Sequence, residues 1–185
     1  MMKTIRTLIL ALLACFALAA QAQLTSQQVA ALKATCLADT VTCKPLHDAV
    51  SPDDVALAAY FNTDTVTYIV WRTSVTKEGL TQDDAFAWDR VDNLTVGKAR
   101  IWVEMFDTPS RSINPSKANV RAGIAAAWTG TAADNAVQAA VLAKCKRSAT
   151  RAEKALATGS GTTNSPSVMS FTGSISYAEA SLIRS

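Results

Sequence analysis

Signals for the start of a helix recur along this chain, and they constrain its fold more than any other feature. A hydroxyl followed three residues later by Gln, Asp or Glu is typical of a helix N-terminus, because the first side chain caps free amides and the second can reach back. Asn114-Pro115 adds a cap followed by a proline that suits the first helical turn. The capping pattern occurs at Thr25–Gln28, Ser51–Asp54, Thr81–Asp84, Thr131–Asp134 and Ser176–Glu179.

These signals and the apolar periodicity predict six helices. They cover roughly residues 26–39, 52–62, 82–88, 96–106, 115–128 and 132–158. Segments 65–73 and 168–174 are instead rich in β-branched and aromatic residues, which predicts two strands that pair as a small β element. We therefore expect a mainly α fold, a compact helical domain with a small two-stranded β element.

Length and local composition predict the domain organisation. Residues 23–185 are enough for one domain with a real core. Within that domain, the Gly, Ser and Thr residues of 159–166 predict a flexible hinge.

The first 22 residues have the layout of a secretory signal peptide. Lys3 and Arg6 precede an apolar run over residues 8–20, which is shorter than the roughly 20 residues of a membrane span. Small residues at Ala20 and Ala22 suit a signal peptidase. The alternative is a start codon placed too far upstream, with folding beginning near Leu24. Removal of Lys3 and Arg6 lowers the formal net charge from +3 to +1, which leaves no general attraction to nucleic acid or membranes.

Three cysteines follow this leader. Cys36 and Cys43 are seven residues apart and could form a disulfide bond in an oxidising compartment, worth roughly 2 kcal/mol, or remain two unpaired small apolar residues. Cys145 lies on an apolar stripe, which favours a buried residue over a reactive thiol. Because the sequence has no CxxC pair and no histidine cluster, we expect no metal site.

Residues with catalytic potential have simpler interpretations. His47, the only histidine, stands beside Asp48, but neighbouring residues on a loop seldom face each other. The acidic cluster Asp83, Asp84, Asp89 and Asp92 could bind calcium or serve acid–base chemistry. Its first two members fall in a predicted first helical turn, where negative charge offsets the helix dipole. We expect no catalytic residue and no cofactor, and therefore no enzyme.

Two features suggest contacts with other subunits. Lys144, Arg147, Arg151 and Lys154 recur at helical spacing and predict a basic helix face. That face could meet an acidic surface of a neighbouring subunit, meet nucleic acid phosphates, or simply be solvated. Trp71-Arg72 and Trp88 stand at the ends of predicted segments, where Trp and Arg often anchor interfaces. The alternative is that these rings lie at the margin of the core.

Several stretches resemble a family of small tailed-phage virion-morphogenesis proteins, of the siphophage type. They are LTSQQVAALKA from Leu24, VALAAYFN from Val55, YIVWRTSV from Tyr68, FAWDRVDNLTVGKARIWVEMF from Phe86, INPSKANVRAGIAAAWTGTAAD from Ile113, and KCKRSATRAEKALATGSGTTNSPSVMSFTGSISYAEA from Lys144. The most distinctive part is the ATRAEK–ATG–SP–FTGSISY series between Ala149 and Tyr177.

The resemblance implies a non-enzymatic virion structural protein, such as a head–tail connector or head-completion component. Its partners would be other phage structural proteins, and it could form a homo-oligomeric ring, with no small-molecule substrate and no expected nucleic acid partner. Such a protein is made in the host cytoplasm and ends in the virion, if the leader is a misplaced start. If the leader is real, the alternative is an exported periplasmic or secreted helical protein with an unknown binding function.

Overall fold

The computed structural model describes residues 24–82 and 86–185, so the predicted leader, Asp83 and Asp84 lie outside the described residues. The helices are α1 (Ser26–Ala38), α2 (Cys43–His47), α3 (Asp54–Asn62), α4 (Lys77–Thr81), the 3-10 helix η1 (Trp88–Asn93), α5 (Val96–Glu104), α6 (Ala118–Ala127), α7 (Ala132–Lys144), α8 (Arg151–Leu156) and α9 (Tyr177–Arg184). The strands are β1 (Asp64–Trp71), β2 (Val75–Thr76), β3 (Ser112–Ile113), β4 (Lys146–Thr150), β5 (Ala157–Thr158) and β6 (Val168–Met169). The expected mainly α fold with a small β element is confirmed. No helix in the described residues is long and apolar enough to cross a membrane.

Local capping chemistry sets several helix starts where they were predicted. Thr25 and Gln28 form a reciprocal capping box at α1, and Ser176 and Glu179 form another at α9. The Thr131 side chain accepts a hydrogen bond from the Asp134 amide at α7. These contacts involve residues three apart, so they do not depend on the rest of the fold.

Two predicted starts are displaced by a few residues. Asp53, not Ser51, caps α3 by accepting from the Ala56 amide at 2.8 Å. α6 begins at Ala118 instead of residue 115, because the Asn114 side chain accepts from the Ser116 amide and hydroxyl and closes a turn before the helix.

The helix predicted over 132–158 is wrong. α7 ends at Lys144, β4 follows, and α8 starts at Arg151. Pairing with β1 extends the backbone of β4, and a capping box between Thr150 and Glu153 starts the new helix. The helix predicted over 82–88 is also wrong in its described residues, because Gln82 is the C-cap of α4 and residues 86–87 precede η1.

The strand predicted at 65–73 is present as β1, but its partner differs from the expected one. β1 pairs antiparallel with β4, from Asp64 opposite Thr150 to Trp71 opposite Lys146. The strand predicted at 168–174 is reduced to β6, which pairs with β5. Ser167, the residue before β6, forms a parallel bridge with Val70 of β1.

The segment predicted as a hinge, 159–166, lies along the other edge of β1. The Ile69 amide donates to the Gly161 carbonyl at 2.7 Å, and the Ser167 amide donates to the Ile69 carbonyl at 3.0 Å. The Tyr68 hydroxyl lies 2.8 Å from the Ser167 hydroxyl oxygen. These contacts define the place of the segment in the fold, and the hinge motion stays a prediction.

The buried apolar residues form two hydrophobic cores. The first joins α1, α2, α3, α8 and α9 around Leu32, Leu57, Phe61 and Ile183. The second gathers α4 to α7 around an aromatic cluster in which the Trp102 and Trp128 ring centres are 5.4 Å apart. β1 begins just after Phe61 in the first core and ends at Trp71 in the second, so it connects the two.

Candidate interaction surface

The four predicted basic residues do not share one helix face. Lys144 is the last residue of α7, Arg147 lies in β4, and Arg151 and Lys154 belong to α8. This is the direct consequence of the break in the predicted helix. The basic face proposed from the spacing is therefore wrong, and each of the four side chains has its own surroundings.

Arg147 pairs with a buried carboxylate. Its Nη1 lies 2.6 Å from Oε2 of Glu153 and its Nη2 lies 2.5 Å from Oε1, which is a bidentate ion pair. The Glu153 side chain is only 3 % exposed, while that of Arg147 is 32 % exposed. The hydrogen bond to Glu153 raises the pKa of Arg147. Arg147 thus holds β4 against α8.

Arg151 and Lys154 lie over aromatic rings. The Arg151 guanidinium is 4.2 Å from the centre of the Tyr60 ring, and the Lys154 ammonium is 5.7 Å from that of Tyr68. The Tyr60 hydroxyl donates to Asp39 at 2.6 Å. Burial, followed by this hydrogen bond, raises the pKa of Tyr60 to about 12, and the Tyr60 hydroxyl is the main cause that lowers the pKa of Asp39. Arg151 is thus partly buried over the Tyr60 ring, whereas Lys154 is exposed.

The two predicted tryptophan contacts differ in exposure. Trp71 is 8 % exposed and lies between Arg121, at 4.8 Å from its ring centre, and Lys146, at 5.3 Å. It is a residue of the second core. Trp88 is 56 % exposed, although its indole N–H donates to the Thr81 carbonyl at 3.1 Å. Only Trp88 is exposed enough to anchor a partner.

Further apolar side chains are exposed on the neighbouring helix. Val96 and Val103 are 87 % and 57 % exposed, and their spacing of seven residues puts both on the outer side of α5. Trp88 connects to α5 through Phe86, whose ring stacks on Trp102 with centres 6.1 Å apart. We group the exposed side chains of Trp88 on η1 and of Val96 and Val103 on α5 under one name, the Trp88 surface.

His47 and Asp48 pair, in contrast to the expectation for adjacent loop residues. Nδ1 of His47 lies 2.7 Å from Oδ1 of Asp48 at the end of α2. Lys44, followed by His47, lowers the pKa of Asp48. The other ring nitrogen of His47 is buried, with no hydrogen-bond partner in the described chain. A general base must reach its substrate through an accessible nitrogen, and this geometry does not provide one.

The acidic cluster is only partly described. Asp89 and Asp92 are exposed on η1, while Asp83 and Asp84 lie outside the described residues. Between them, Arg90 turns inward and donates to Asp134 at 2.8 Å. Across residues 24–82 and 86–185, no group of three His, Cys, Asp or Glu residues could hold a metal ion.

The cysteines have separate roles in packing. Cys36 and Cys43 are joined by a disulfide bond, and both are fully buried. The bond ties the end of α1 to the start of α2. Cys145 is buried without a bond, and burial raises the pKa of its thiol to about 11, so the thiolate that would make it reactive is disfavoured.

A basic cavity opens where β1 leaves the strand pair. Its volume is about 610 Å³. Arg72, Lys144 and Lys146 line it together with the carboxylate of Glu78. The remaining lining residues are Ser74, Val75, Thr76, Gly79 and Gln82. Sequence reasoning assigned Arg72 and Lys144 to other surfaces and missed the cavity.

The reason for this miss is the distance along the chain. Arg72 and Lys146 meet because Trp71 pairs with Lys146 across the strands, over 70 residues apart. The one signal in the sequence was the pair of lysines, Lys144 and Lys146, on either side of Cys145.

Comparisons with protein-family models, with curated proteins and with solved structures found no match for this chain.

Proposed function

We propose that this chain is a non-enzymatic assembly protein of a tailed-phage virion, such as a head–tail connector or head-completion component. It would work by self-association and by docking to other phage structural proteins. The proposal starts from the resemblance of the stretches between Leu24 and Tyr177 to that family.

The placement of the most distinctive stretch supports this proposal. Ala149–Tyr177 supplies the buried Glu153 that pairs with Arg147, the Ser167 that bonds to β1, and a residue of the α9 N-terminus. These residues connect the elements around both cores. The resemblance is therefore concentrated in residues that stabilise the fold. We regard this as stronger support for the family than similarity confined to a surface loop would be.

The observation that carries the mode of action is the exposure of the Trp88 surface. Large exposed apolar side chains that form a continuous patch often mark an interaction site. Trp is also the residue most enriched at the energetic centre of interfaces. A ring-forming component contacts its neighbour head to tail. We propose that a second copy of the chain covers the Trp88 surface.

Self-association can be tested with matched substitutions. We expect analytical ultracentrifugation to show a concentration-dependent oligomer for the wild-type chain, and a monomer for Trp88→Ser and Val103→Ser. Val55→Ser is the control, because Val55 is 71 % exposed but lies on α3, in the first core's half of the molecule. A wild-type chain that stays monomeric at all concentrations, or a Trp88→Ser variant that assembles like the wild type, would refute the contact.

The location of the protein can be tested directly. Particles purified from an induced lysogen that carries the gene should contain peptides of this chain, as shown by mass spectrometry. A neighbouring portal or major capsid gene would agree with that result. Absence of the chain from particles that contain the other virion proteins would contradict the proposal.

The disulfide bond favours a second candidate, an exported periplasmic protein with a binding function. Disulfide bonds persist mainly in oxidising compartments, and Cys36 and Cys43 are bonded here. If the leader directs export, the periplasmic fraction should contain a chain that begins at Gln23. A chain found only in the cytoplasm, with its leader intact, would contradict this candidate.

A further inference from the structure

The basic cavity combines side chains that suit an anionic ligand. Three of its lining residues are cations, Arg72, Lys144 and Lys146, and Glu78 is the one lining carboxylate within the described residues 24–82 and 86–185. Ser74, Thr76 and Gln82 add hydroxyl and amide groups. Such a concentration of positive charge in a concave site attracts anions more strongly than the same charges spread over a surface.

Backbone contacts hold two of these cations in place. The Arg72 amide donates to the Cys145 carbonyl at 2.8 Å, and its Nε donates to the Lys146 carbonyl at 3.3 Å. The Lys146 ammonium donates to the Thr163 carbonyl at 2.9 Å and lies over the Trp71 ring. Both charges are therefore positioned before a ligand arrives, so little side-chain entropy is lost on binding.

These two cations keep donors for a ligand. Within the described residues, no ion pair joins Arg72 or Lys146 to a carboxylate. A lysine ammonium has three donors and an arginine guanidinium has five, so one carbonyl contact leaves most of them for other acceptors. Lys144 lies at the same cavity with its ammonium on the Leu80 carbonyl at 3.1 Å.

The number and arrangement of donors distinguish between anions. A carboxylate presents two oxygens in one plane, which a single guanidinium can satisfy. A phosphate group presents three or more oxygens in a tetrahedral arrangement and can use donors from several directions. Here a guanidinium, ammonium groups and two hydroxyls surround a cavity of about 610 Å³, within the size range of small-ligand sites.

We propose that this cavity is a binding site for the phosphate group of a small ligand, with Arg72 and Lys146 as its main contacts. Such a site differs from a substrate site, because it requires no chemistry on the bound group. The residues that line the cavity do not include Trp88, Val96 or Val103, so binding can be tested with variants that leave the Trp88 surface intact.

Inorganic phosphate and pyrophosphate are suitable probes for the whole protein, with titration calorimetry as the readout. Saturable binding is expected for both, tighter for pyrophosphate, and weaker as the salt concentration rises. Acetate is expected to bind more weakly than phosphate by about tenfold. The proposal is refuted if neither phosphate probe binds saturably, or if acetate binds as well as phosphate.

Charge substitutions make the site assignment sharper. Arg72→Gln and Lys146→Gln should each weaken pyrophosphate binding by at least about tenfold, a free-energy change of about 1.4 kcal/mol. The control, Lys117→Gln, removes an exposed cation before α6 and should leave binding unchanged. Circular dichroism of each variant checks that it is folded.

Glu78→Gln should change the pyrophosphate affinity in the opposite direction. It removes a negative charge from the cavity lining and should tighten pyrophosphate binding several-fold. A merely damaged fold would not improve binding. If Glu78→Gln leaves the affinity unchanged while Lys117→Gln weakens it, the probes bind elsewhere and the proposal is overturned.

Discussion

At the residue scale, two Arg–Glu pairs of the described residues differ in both burial and geometry. Arg147 and Glu153 form a bidentate pair whose carboxylate side chain is 3 % exposed. Arg100 and Glu104 lie four residues apart on α5, 3.8 Å apart, with side chains 73 % and 68 % exposed. Because Glu153 is buried, loss of its partner Arg147 would cost much stability, whereas solvent screens the attraction between Arg100 and Glu104.

We therefore expect Arg147→Met to lower the free energy of unfolding by about 3–5 kcal/mol, because Glu153 would remain buried without its partner. Arg100→Met, the matched control, should change it by less than about 1 kcal/mol. Urea denaturation of both variants measures the difference. Equal effects would mean that Glu153 reaches solvent more easily than its burial indicates.

Because Arg147 stabilises the fold, charge reversal at this residue is not a suitable test of assembly. Reversal of Arg147 and Arg151 to glutamate would put a new carboxylate beside Glu153 and remove the cation over Tyr60. Such a variant would lose assembly through unfolding. The Trp88 substitutions test the interface without this confusion.

Asp134 links folding to pH. Its main partner, Arg90, holds the pKa of this carboxyl below its usual range, with a smaller contribution from Thr131. A lowered folded-state pKa adds stability that is present above the unfolded pKa of about 3.9 and lost as the pH falls through the folded value. Asp134→Asn should thus lose less stability than the wild type on acidification below about pH 4. Urea denaturation across that pH range measures the loss of unfolding free energy, with the exposed Asp92→Asn as the control. The prediction is contradicted if the wild type and Asp134→Asn lose the same stability as the pH falls.

At the scale of elements, the disulfide bond fixes how α1 turns into α2. It closes a short loop between Cys36 and Cys43. The Lys44 amide donates to the Asp39 carbonyl within the same turn at 2.8 Å. Loop-closure entropy for so short a loop amounts to roughly 2 kcal/mol.

Replacement of both Cys36 and Cys43 by alanine should lower the free energy of unfolding by roughly 2 kcal/mol or more, because two buried sulfur atoms are lost as well. Reductant should destabilise the wild type in chemical denaturation and have no effect on the double variant. If reductant destabilises both equally, its action does not pass through this bond.

At the scale of the whole molecule, the segment after β5 packs on β1 between the two cores. Gly161 has φ +65°, a left-handed conformation, and an added Cβ would lie 2.3 Å from the Tyr68 ring. Both effects exclude any other residue there without rearrangement. The path of this segment over β1 therefore depends on one glycine.

Gly161→Ala should lower the free energy of unfolding by at least about 2 kcal/mol, through backbone strain and displacement of Tyr68. Gly97→Ala is the control, because its Cβ would meet nothing within 4 Å and helix propensity should raise stability by up to about 1 kcal/mol. Thermal unfolding distinguishes the two. A tolerated Gly161→Ala would show that the segment can leave β1 at little cost, as the predicted hinge requires.

Features governed by nearby residues could be predicted from the sequence. The capping side chains at Thr25, Thr131 and Ser176 act on amides two or three residues away, so their helices begin where expected. The β-branched and aromatic residues of 65–73 predict β1. The sequence also contains a capping box at Thr150 and Glu153. It was missed because the apolar residues on both sides of it follow one apparent helical period.

The tertiary structure alone decided what depends on distant partners. Residues 146–150 have a helical pattern of apolar and basic residues, yet they form β4 because β1 offers unpaired backbone groups, and satisfying those outweighs local propensity. The pairing of β4 with β1 places Arg147 next to Glu153 and brings Arg72 and Lys146 to one cavity. Local chemistry thus determined where most helices begin, while long-range strand pairing determined which charges are buried and which remain for a ligand.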